Sequence, residues 1–351
     1  MKVMFVIHGL GPGGAERVLS MLANYLVSNG YEVVILIMSK EEPFYELNKS
    51  IRIIKIIKKS NGSLFDKIKI NINRIYEIYK VFKTNDIDII ISFITLMNIY
   101  STVAAKFARK KIILSEHTNF DVSKNTYLGF LRKLIYPYAN AVVVLTEKDK
   151  EKYNFLNNIY VIHNPLILSN QFDKIKREKI ILGVGRLMKV KGFDMLIEAY
   201  KNLNISDWKL IIVGEGPERK NLESLVFSLG LEKNITLPGV TKEIEKYYKS
   251  SSIFVLSSRA EGFPGALCEA MGYGCPAIAF DCLTGPSEII TNGFDGILVE
   301  PSNIDSLCLS IKDLIHDEKK RDILSQNSKN ISIRLNINKI AKKWIDIMEK
   351  I

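Results

Sequence analysis

Cysteine, histidine and tryptophan are scarce in this chain, with four, four and two copies among 351 residues. The cysteines are Cys268, Cys275, Cys282 and Cys308. All four lie in the second half of the chain, and none has the C-x-x-C spacing of a zinc or redox site. We therefore expect small, buried, reduced thiols rather than disulfides or a metal site.

Long apolar runs are also missing. The longest, such as Ile87–Ile94, have the length of a strand and fall far short of the about 20 residues that cross a membrane as a helix. Met1 is followed by a strand-like run and then by glycines, not by the basic start and long apolar stretch of a signal peptide. The sequence therefore predicts a cytoplasmic protein.

Positive charge is concentrated in the first half of the chain. Residues 1–165 carry 23 Lys and Arg against 14 Asp and Glu, whereas residues 166–351 carry 26 against 24. An anionic membrane surface, a phosphorylated substrate or nucleic acid would each explain this excess, and so would a genome rich in Lys, Ile and Asn codons. We expect no nucleic acid partner, because interleaved aromatic and basic clusters are missing.

Short β-rich runs alternate with helix-like segments along the whole chain, which is typical of parallel sheets with crossover helices. The predicted strands are Val3–His8, Glu32–Met38, Ile51–Ile57, Ile87–Phe93, Ile112–Ser115, Ala141–Leu145, Tyr160–Ile162, Ile180–Val184, Lys209–Val213, Ile235–Leu237, Ile253–Leu256 and Ala277–Phe280. The pattern pauses after Asn164-Pro165. We predict an N-terminal Rossmann-like domain at 1–165, a second at 166–330, and a helix at 331–351 that packs back toward the first.

Glycines, cations and carboxylates follow many of these strands, at the sheet edge where α/β proteins bind ligands. Gly9-x-Gly11-x-x-Gly14 matches the dinucleotide fingerprint. However, the acidic residue that would hold a ribose is not cleanly placed, so a loop that approaches a diphosphate is the preferred interpretation. Asp86-x-Asp88 precedes its strand, at the wrong edge for a metal site, and is interpreted as a solvated strand start.

Two cations follow the strand Ile180–Val184. Arg186 and Lys191 lie on one strand-to-helix loop and would together neutralise a diphosphate, with the planar donors of Arg suited to phosphate oxygens. Lys189 is the alternative to Lys191. A solvated basic loop would explain these residues equally well if they stood alone.

Two carboxylates bracket a glycine-rich turn further along the chain. Glu261 follows a strand, and Glu269 lies eight residues later in a helix that opens at Gly265. Backbone amides between Phe263 and Leu267 are suited to phosphate or sugar oxygens, and carboxylates accept hydrogen bonds from hydroxyls. This arrangement predicts a site for a phosphorylated sugar.

The combination of these motifs resembles family-4 retaining glycosyltransferases. The motifs are Gly13-Gly14-Ala15-Glu16, Ser115-Glu116-His117, Arg186 with Lys191, Val213-Gly214-Glu215-Gly216, Glu261-Gly262-Phe263-Pro264 and Glu269. The resemblance covers essentially the whole chain and implies the GT-B fold, in which two Rossmann-like, doubly wound parallel-sheet α/β domains face each other across a cleft. The segments near Ser92, Ser115, His163 and Gly285 are most similar to N-acetylgalactosaminyltransferases that extend polyprenyl-diphosphate-linked oligosaccharides and to surface-polysaccharide glycosyltransferases.

The resemblance implies a role for each matching residue. Arg186, Lys191, Glu261 and His117 would be the catalytic residues, with His117 beside the reacting face of the sugar. The donor, a UDP-sugar, would be bound by Gly14, Glu16, Gly185, Gly214, Gly239, Val240, Gly262, Phe263, Pro264, Gly265, Ala266, Leu267 and Glu269. The cations would take the place of a metal, so we expect no metal and no cofactor. The family retains anomeric configuration, and front-side attack is the preferred route because no carboxylate stands out as a nucleophile.

The basic N-terminal half is expected to bind the acceptor, a lipid-linked oligosaccharide. In 64–83, an apolar helical stripe is bordered by Lys69, Lys80 and Lys83. Either this helix lies at the anionic surface of the inner membrane, on its cytoplasmic face, or the stripe packs into the core and the lysines are simply solvated. The rival functions are a UDP-sugar epimerase of the same fold that needs no acceptor, and a nicotinamide dehydrogenase built on the N-terminal glycines.

Overall fold

The computed structural model describes residues 1–57, 64–168 and 176–351, without the side chains of 64–69 and 122–123. The chain divides into two compact units. Unit 1 consists of Met1–Pro165 together with Asn336–Ile351, and unit 2 consists of Leu166–Leu335. The end of the chain thus belongs to the same unit as its beginning.

The described residues of unit 1 form a sheet of seven strands. The strands are β1 (Lys2–Ile7), β2 (Glu32–Ile37), β3 (Arg52–Lys55), β4 (Ile89–Phe93), β5 (Lys111–Ser115), β6 (Ala141–Val144) and β7 (Ile159–Val161). All pair in parallel, in the order β3-β2-β1-β4-β5-β6-β7. The chain winds outward in both directions from β1, so the switch point lies between β1 and β4.

Unit 2 contains a parallel sheet of six described strands. They are β8 (Glu178–Val184), β9 (Lys209–Val213), β10 (Ile235–Gly239), β11 (Ser251–Leu256), β12 (Ala277–Phe280) and β13 (Ile297–Val299). Their order is β10-β9-β8-β11-β12-β13, which puts the switch point between β8 and β11. The predicted fold class, two doubly wound parallel-sheet α/β domains, is confirmed.

Fifteen α-helices connect the strands in the part of the chain that the structure describes. They are α1 (Gly14–Ser28), α2 (Leu64–Thr84), α3 (Thr95–Ala108), α4 (Phe120–Ser123), α5 (Tyr127–Ile135), α6 (Glu147–Lys152), α7 (Phe193–Leu203), α8 (Arg219–Ser228), α9 (Ile244–Ser250), α10 (Gly265–Gly272), α11 (Pro286–Ile289), α12 (Ile304–His316), α13 (Glu318–Ser328), α14 (Ile331–Arg334) and α15 (Ile337–Lys350). Among these residues no helix is both long and apolar enough to cross a bilayer.

The strands are apolar because helices cover both faces of each sheet. All five residues of β4, for example, are buried. In unit 1, α1 and α15 pack on one face of the sheet, where Leu19 and Trp344 belong to one apolar core. Helices α2, α3 and α5 lie on the other face, around a second core.

Most of the described apolar side chains in the predicted stripe of helix α2 pack inside the protein. Phe82 is buried, and Ile75 and Tyr79 pack against the second core, whereas Ile72 is exposed. Most of the described stripe therefore packs into the core, as the core-packing alternative predicts, and a membrane-facing role for the exposed remainder of the helix stays a prediction. Phe65 and Ile68 lie outside the described side chains.

Candidate functional site

The switch point of unit 2 brings together a lysine and a carboxylate. Lys191 lies in a single 3₁₀ turn after β8, and Glu261 lies in the loop after β11. The Lys191 Nζ donates to Oε1 and Oε2 of Glu261 at 2.7 and 2.9 Å. The Ser258 hydroxyl also donates to Oε1, at 2.6 Å. Glu261 is buried, so its charge is compensated by these donors rather than by solvent.

Backbone contacts hold the two loops together. The Arg259 N–H donates to the Val190 carbonyl at 2.8 Å, and the Ser257 hydroxyl donates to the Lys191 carbonyl at 3.1 Å. Gly192 has a φ of +64°, and a Cβ added there would lie 2.0 Å from the Ser257 carbonyl oxygen. Only glycine fits this approach, which fixes Lys191 against the Glu261 loop.

Glycines line the carboxyl ends of β8, β9 and β10. The Gly185 N–H donates to the Val213 carbonyl, and the Gly214 N–H donates to the Gly239 carbonyl, both at 3.0 Å. Gly214 has a φ of +150°, and a Cβ added there would lie 1.9 Å from the Gly185 carbonyl oxygen. Val240 follows as an exposed residue. The glycines therefore let the loops that follow β8, β9 and β10 pack closely against one another, beside Lys191.

The turn after Glu261 opens helix α10. Pro264 precedes the helix, Gly265 is its first residue, and the first turn has N–H groups without partners inside the helix. Glu269 follows one turn later and is buried. The side chains of Phe263 and Leu267 are buried as well, so their backbones, together with those of Gly262 and Ala266, are the parts suited to a ligand.

A further loop supports this turn from behind. The Thr284 hydroxyl donates to the Glu261 carbonyl. Gly285 has a φ of +98°, and its missing Cβ would lie 2.6 Å from Cδ of Pro264. Neither Ser258 nor Thr284 was predicted as a supporting residue, because a hydroxyl that acts through a neighbour leaves no spacing pattern in a sequence.

The remaining basic residues of this loop differ in their surroundings. Arg186 is exposed and makes no ion pair within the described residues. Lys189 instead contacts Asp194, with 2.6 Å between Nζ and Oδ2, and Arg259 contacts the same carboxylate. Burial alone would raise the pKa of Asp194, but hydrogen bonds from Arg259 and Lys189 lower it to about 2. The structure thus places Lys191, and not Lys189, beside Glu261.

In unit 1, His117 follows β5 and lies in an aromatic stack. Its Nε2 is 2.9 Å from the Ser115 hydroxyl oxygen. The imidazole stacks on Phe93, with 5.2 Å between ring centroids, and Phe93 stacks on Trp344 of α15 at 6.5 Å. Burial lowers the pKa of His117 to about 3, so the ring is neutral at physiological pH.

A buried polar network that the sequence did not predict lies next to His117. The Glu116 carboxylate accepts hydrogen bonds from the Thr95 hydroxyl at 2.9 and 3.0 Å and from the Tyr136 hydroxyl at 2.6 Å. Burial raises the pKa of Glu116. Ile94, just before Thr95, has a φ of +72°, which is rare for a β-branched residue and marks a constrained loop.

The other predicted residues of unit 1 lie apart from this network. Gly14 is the first residue of α1, with no atom within 4 Å of a Cβ added there. The Glu16 carboxylate folds back toward Gly13. Lys80 and Lys83 are exposed on α2, and the side chain of Lys69 lies outside the described residues. The assigned roles of all these residues stay predictions.

Two parallel α/β units, one with a cation and carboxylates at its switch point, define the GT-B class of glycosyltransferase folds. Solved structures agree over the full chain. Sucrose-phosphate synthase from Thermosynechococcus elongatus has a TM-score of 0.84 at 18% identity, covering 99% of this chain and 98% of that one. HepE from Anabaena has a TM-score of 0.82 at 18% identity, covering 100% of both chains.

Sequence comparison gives the family. Residues 12–169 match the family described as Glycosyltransferase Family 4, and residues 167–331 match that described as Glycosyl transferases group 1. The amylovoran biosynthesis glycosyltransferase AmsD of Erwinia amylovora is 32% identical, over 99% of both chains. An α-1,4-N-acetyl-D-galactosaminyltransferase of Campylobacter jejuni is 30% identical, over 100% of this chain and 99% of its own. The chain belongs to glycosyltransferase family 4.

Proposed function

We propose that this enzyme transfers a hexose or N-acetylhexosamine, with N-acetylgalactosamine as the first candidate, from a UDP-sugar to a polyprenyl-diphosphate-linked glycan. The transfer retains the anomeric configuration and needs no metal ion. The product enters a bacterial surface glycan, such as O-antigen, capsule or lipooligosaccharide, or a protein-linked glycan. The enzyme works in the cytoplasm, peripherally bound to the cytoplasmic face of the inner membrane.

The observation that carries the proposal is the arrangement around Lys191. An ammonium group has three N–H donors, and Glu261 accepts hydrogen bonds from this one at both carboxylate oxygens. The remaining donor is suited to a phosphate oxygen, and exposed Arg186 adds a second cation on the same loop. Gly185 lies beside this lysine, because a Cβ added there would be 3.7 Å from the Lys191 side chain.

These groups fit the chemistry of the leaving group. As the glycosyl bond breaks, negative charge grows on the diphosphate. Lys191, Arg186 and the first amides of α10 would stabilise that charge more in the transition state than in the bound donor, which lowers the barrier. Glu261, held by Lys191 and Ser258, would accept hydrogen bonds from sugar hydroxyls, and Glu269 would accept them from the ribose.

The acceptor side of the proposal rests on the relatives. The C. jejuni enzyme is named for a substrate that carries two N-acetylgalactosamine residues and a bacillosamine residue on undecaprenyl diphosphate. A second C. jejuni relative, 28% identical, is named for a shorter undecaprenyl-diphosphate substrate. HepE was crystallised with UDP and glucose, which supports the UDP moiety but not the choice of sugar.

The test is transfer from a panel of UDP-sugars to undecaprenyl-diphosphate-linked acceptors, with EDTA present. We expect one sugar to be added, with UDP released in equal amount, only when acceptor is present. NMR of the product reports the anomeric configuration. Inversion of configuration would contradict a retaining transfer. Activity that is lost with EDTA and restored by a divalent ion would contradict a metal-independent transfer.

The alternative function is a UDP-sugar epimerase of the same fold. It would change the donor in the absence of any acceptor, so the acceptor-free arm of the same experiment separates the two. Formation of an epimeric UDP-sugar or free sugar at full rate without acceptor would favour the epimerase.

A further inference from the structure

Seven large apolar side chains of unit 1 are more than half exposed, with exposures from 52% to 74%. They are Ile72, Tyr76, Phe107, Tyr127, Phe130, Leu134 and Tyr138. All seven lie on α2, α3, α5 or the 3₁₀ turn that follows α5. No other large apolar side chain in the described part of unit 1 is exposed to this extent.

These elements form one layer on the sheet. Their inward side chains, including Phe82, Ala104 and Tyr136, belong to a single core cluster. The Tyr100 hydroxyl of α3 donates to the Asn71 amide oxygen of α2 at 2.8 Å, and α5 packs against the opposite flank of the layer, also on α3. The exposed side chains therefore belong to one side of unit 1, here called the aromatic–basic face.

Helix α5 presents apolar side chains both inside and outside, although Arg132 is buried on its inner side and Lys133 is exposed. Its inner side carries buried Gly129 and the partly buried Leu131. Its outer side carries Tyr127, Phe130 and Leu134, at spacings of three and four residues that place them on one helical stripe. A large exposed apolar patch of this kind marks an interaction surface.

Positive charge accompanies the apolar groups. Lys106, Arg109 and Lys133 are exposed on this layer. The Lys106 Nζ lies 5.2 Å from the ring centroid of Tyr138, and the Lys80 Nζ lies 4.5 Å from that of Tyr76. Residues 94–115 and 122–146 contain no Asp or Glu at all.

A surface cavity of about 380 Å³ lies at the end of α3. Its lining includes Lys106, Arg109 and Tyr138. The amine of Lys110, also in the lining, donates to the Ile87 carbonyl at 3.0 Å. Two exposed cations beside an aromatic ring are suited to an anionic headgroup.

We propose that the aromatic–basic face is the surface by which this enzyme docks onto an anionic lipid bilayer. Aromatic rings lie preferentially at the level of the headgroups, and Lys and Arg are attracted to anionic lipids. A second copy of the chain is the less suitable occupant, because two such faces would oppose like charges. The proposed lipid-linked acceptor gives this docking its purpose, since the polyprenyl chain lies in the bilayer.

The experiment is flotation of the full chain with vesicles, with no acceptor and no donor present. We expect binding to vesicles of phosphatidylcholine with phosphatidylglycerol, and little binding to phosphatidylcholine alone. Because no transfer is measured, failure of this docking is separate from failure of the proposed transferase activity. Added salt should weaken the binding.

Two variants test the two components of the face. Tyr127→Ser with Phe130→Ser and Leu134→Ser should lower the partition coefficient by roughly tenfold or more. Lys106→Gln with Arg109→Gln and Lys133→Gln should lower it by about fivefold for each charge removed. A cooperative thermal melt, followed by circular dichroism, shows that a variant is folded.

A matched control uses equally exposed apolar side chains of unit 2. Phe227→Ser with Leu309→Ser and Ile323→Ser should bind vesicles as the parent does. Equal binding by the parent and both face variants overturns the proposal, as does equal binding to neutral vesicles. A dimer that the serine variant dissociates, without vesicle binding by the parent, assigns the face to a second copy instead. If the serine variant does not fold, vesicle binding by the glutamine variant and by the single variant Phe130→Ser tests the proposal instead.

Discussion

The Lys191 amine contacts both carboxylate oxygens of Glu261, at 2.7 and 2.9 Å, across the switch point between β8 and β11. Only the fold brings these residues together, since 70 positions separate them in the chain. The pair links the two loops that are proposed to hold the diphosphate and the transferred sugar. Each partner is therefore expected to affect both stability and catalysis.

Replacing Lys191 should separate these two effects. Lys191→Met is expected to lower kcat, because it removes a hydrogen-bond donor from the leaving group. The loss corresponds to a rise of about 3–4 kcal/mol in the activation free energy. The matched control is Lys189→Met, two residues earlier, whose amine contacts Asp194 and not Glu261. Steady-state kinetics with saturating acceptor measure both. Equal losses in the two variants would contradict the assignment of Lys191.

The buried carboxylate gives a second, independent result. Lys191→Met leaves Glu261 without its cation, and an unpaired buried charge is destabilising. Adding Glu261→Gln to Lys191→Met should recover part of the lost free energy of unfolding without recovering activity. Urea denaturation of the parent, both single variants and the double variant measures this coupling. Additive effects on stability would show that the ion pair has no energetic role.

Two glycines should respond oppositely to alanine. Gly14→Ala adds a Cβ in open space, so the melting temperature should stay the same or rise slightly, while activity falls if the donor approaches Gly14. Gly214→Ala adds a Cβ only 1.9 Å from the Gly185 carbonyl oxygen, so it should destabilise unit 2. Thermal melts and transfer rates of both variants give the answer. Full activity of Gly14→Ala would show that Gly14 is not part of the donor site.

Glu269 is predicted to hold the ribose, and analogues of UDP test this directly. Glu269→Gln should weaken UDP binding by about 1 kcal/mol, because a hydrogen bond to a charged group is replaced by a neutral one. The variant should also distinguish UDP less well from its deoxyribose analogues. Glu232→Gln, at an exposed position of unit 2, is the control. Isothermal titration calorimetry measures both affinities. If Glu269→Gln distinguishes UDP from its deoxyribose analogues as well as the parent does, another group holds the ribose.

The pH dependence of stability should report His117. Its pKa is about 3 in the folded chain and 6.5 as the ordinary value, so the unfolded chain binds the proton first as the pH falls. The contribution of neutral His117 is therefore complete above pH 6.5 and is lost progressively between pH 6.5 and about 3. His117→Gln should flatten this acid limb in chemical denaturation, whereas His316→Gln, at an exposed position, should not. An unchanged slope in His117→Gln would contradict the burial of the ring.

Much of the strand pattern was predictable because buried parallel strands are nearly continuous apolar runs. Lys209–Val213 and Ala277–Phe280 have the predicted bounds. The strand Ile297–Val299 was not predicted, whereas the equally short edge strand Ile159–Val161 was. Helix periodicity found α2 but did not reveal which side of it is covered, because that depends on the neighbouring α3.

Residues of the candidate site could be predicted from the sequence only where glycines or charged residues stand next to them. Lys191, Glu261 and Gly214 have conspicuous neighbours in the sequence, and the structure places all three at strand ends of unit 2. The Thr95–Glu116–Tyr136 network has no such signal, because its members come from three separate segments. The exposed stripe of α5 was missed for a related reason, since apolar periodicity does not distinguish an inward from an outward surface.

Helix α15 has a consequence for biosynthesis. Its residues Ile340, Ala341, Trp344, Ile347 and Met348 complete an apolar core whose other buried members come from the first half of the chain. Synthesis on the ribosome delivers these side chains only after the whole of 166–335 has emerged. Unit 2 can therefore fold as a continuous stretch while unit 1 still lacks part of its core. A stop codon between 336 and 351 would leave the core of unit 1 incomplete and that of unit 2 intact.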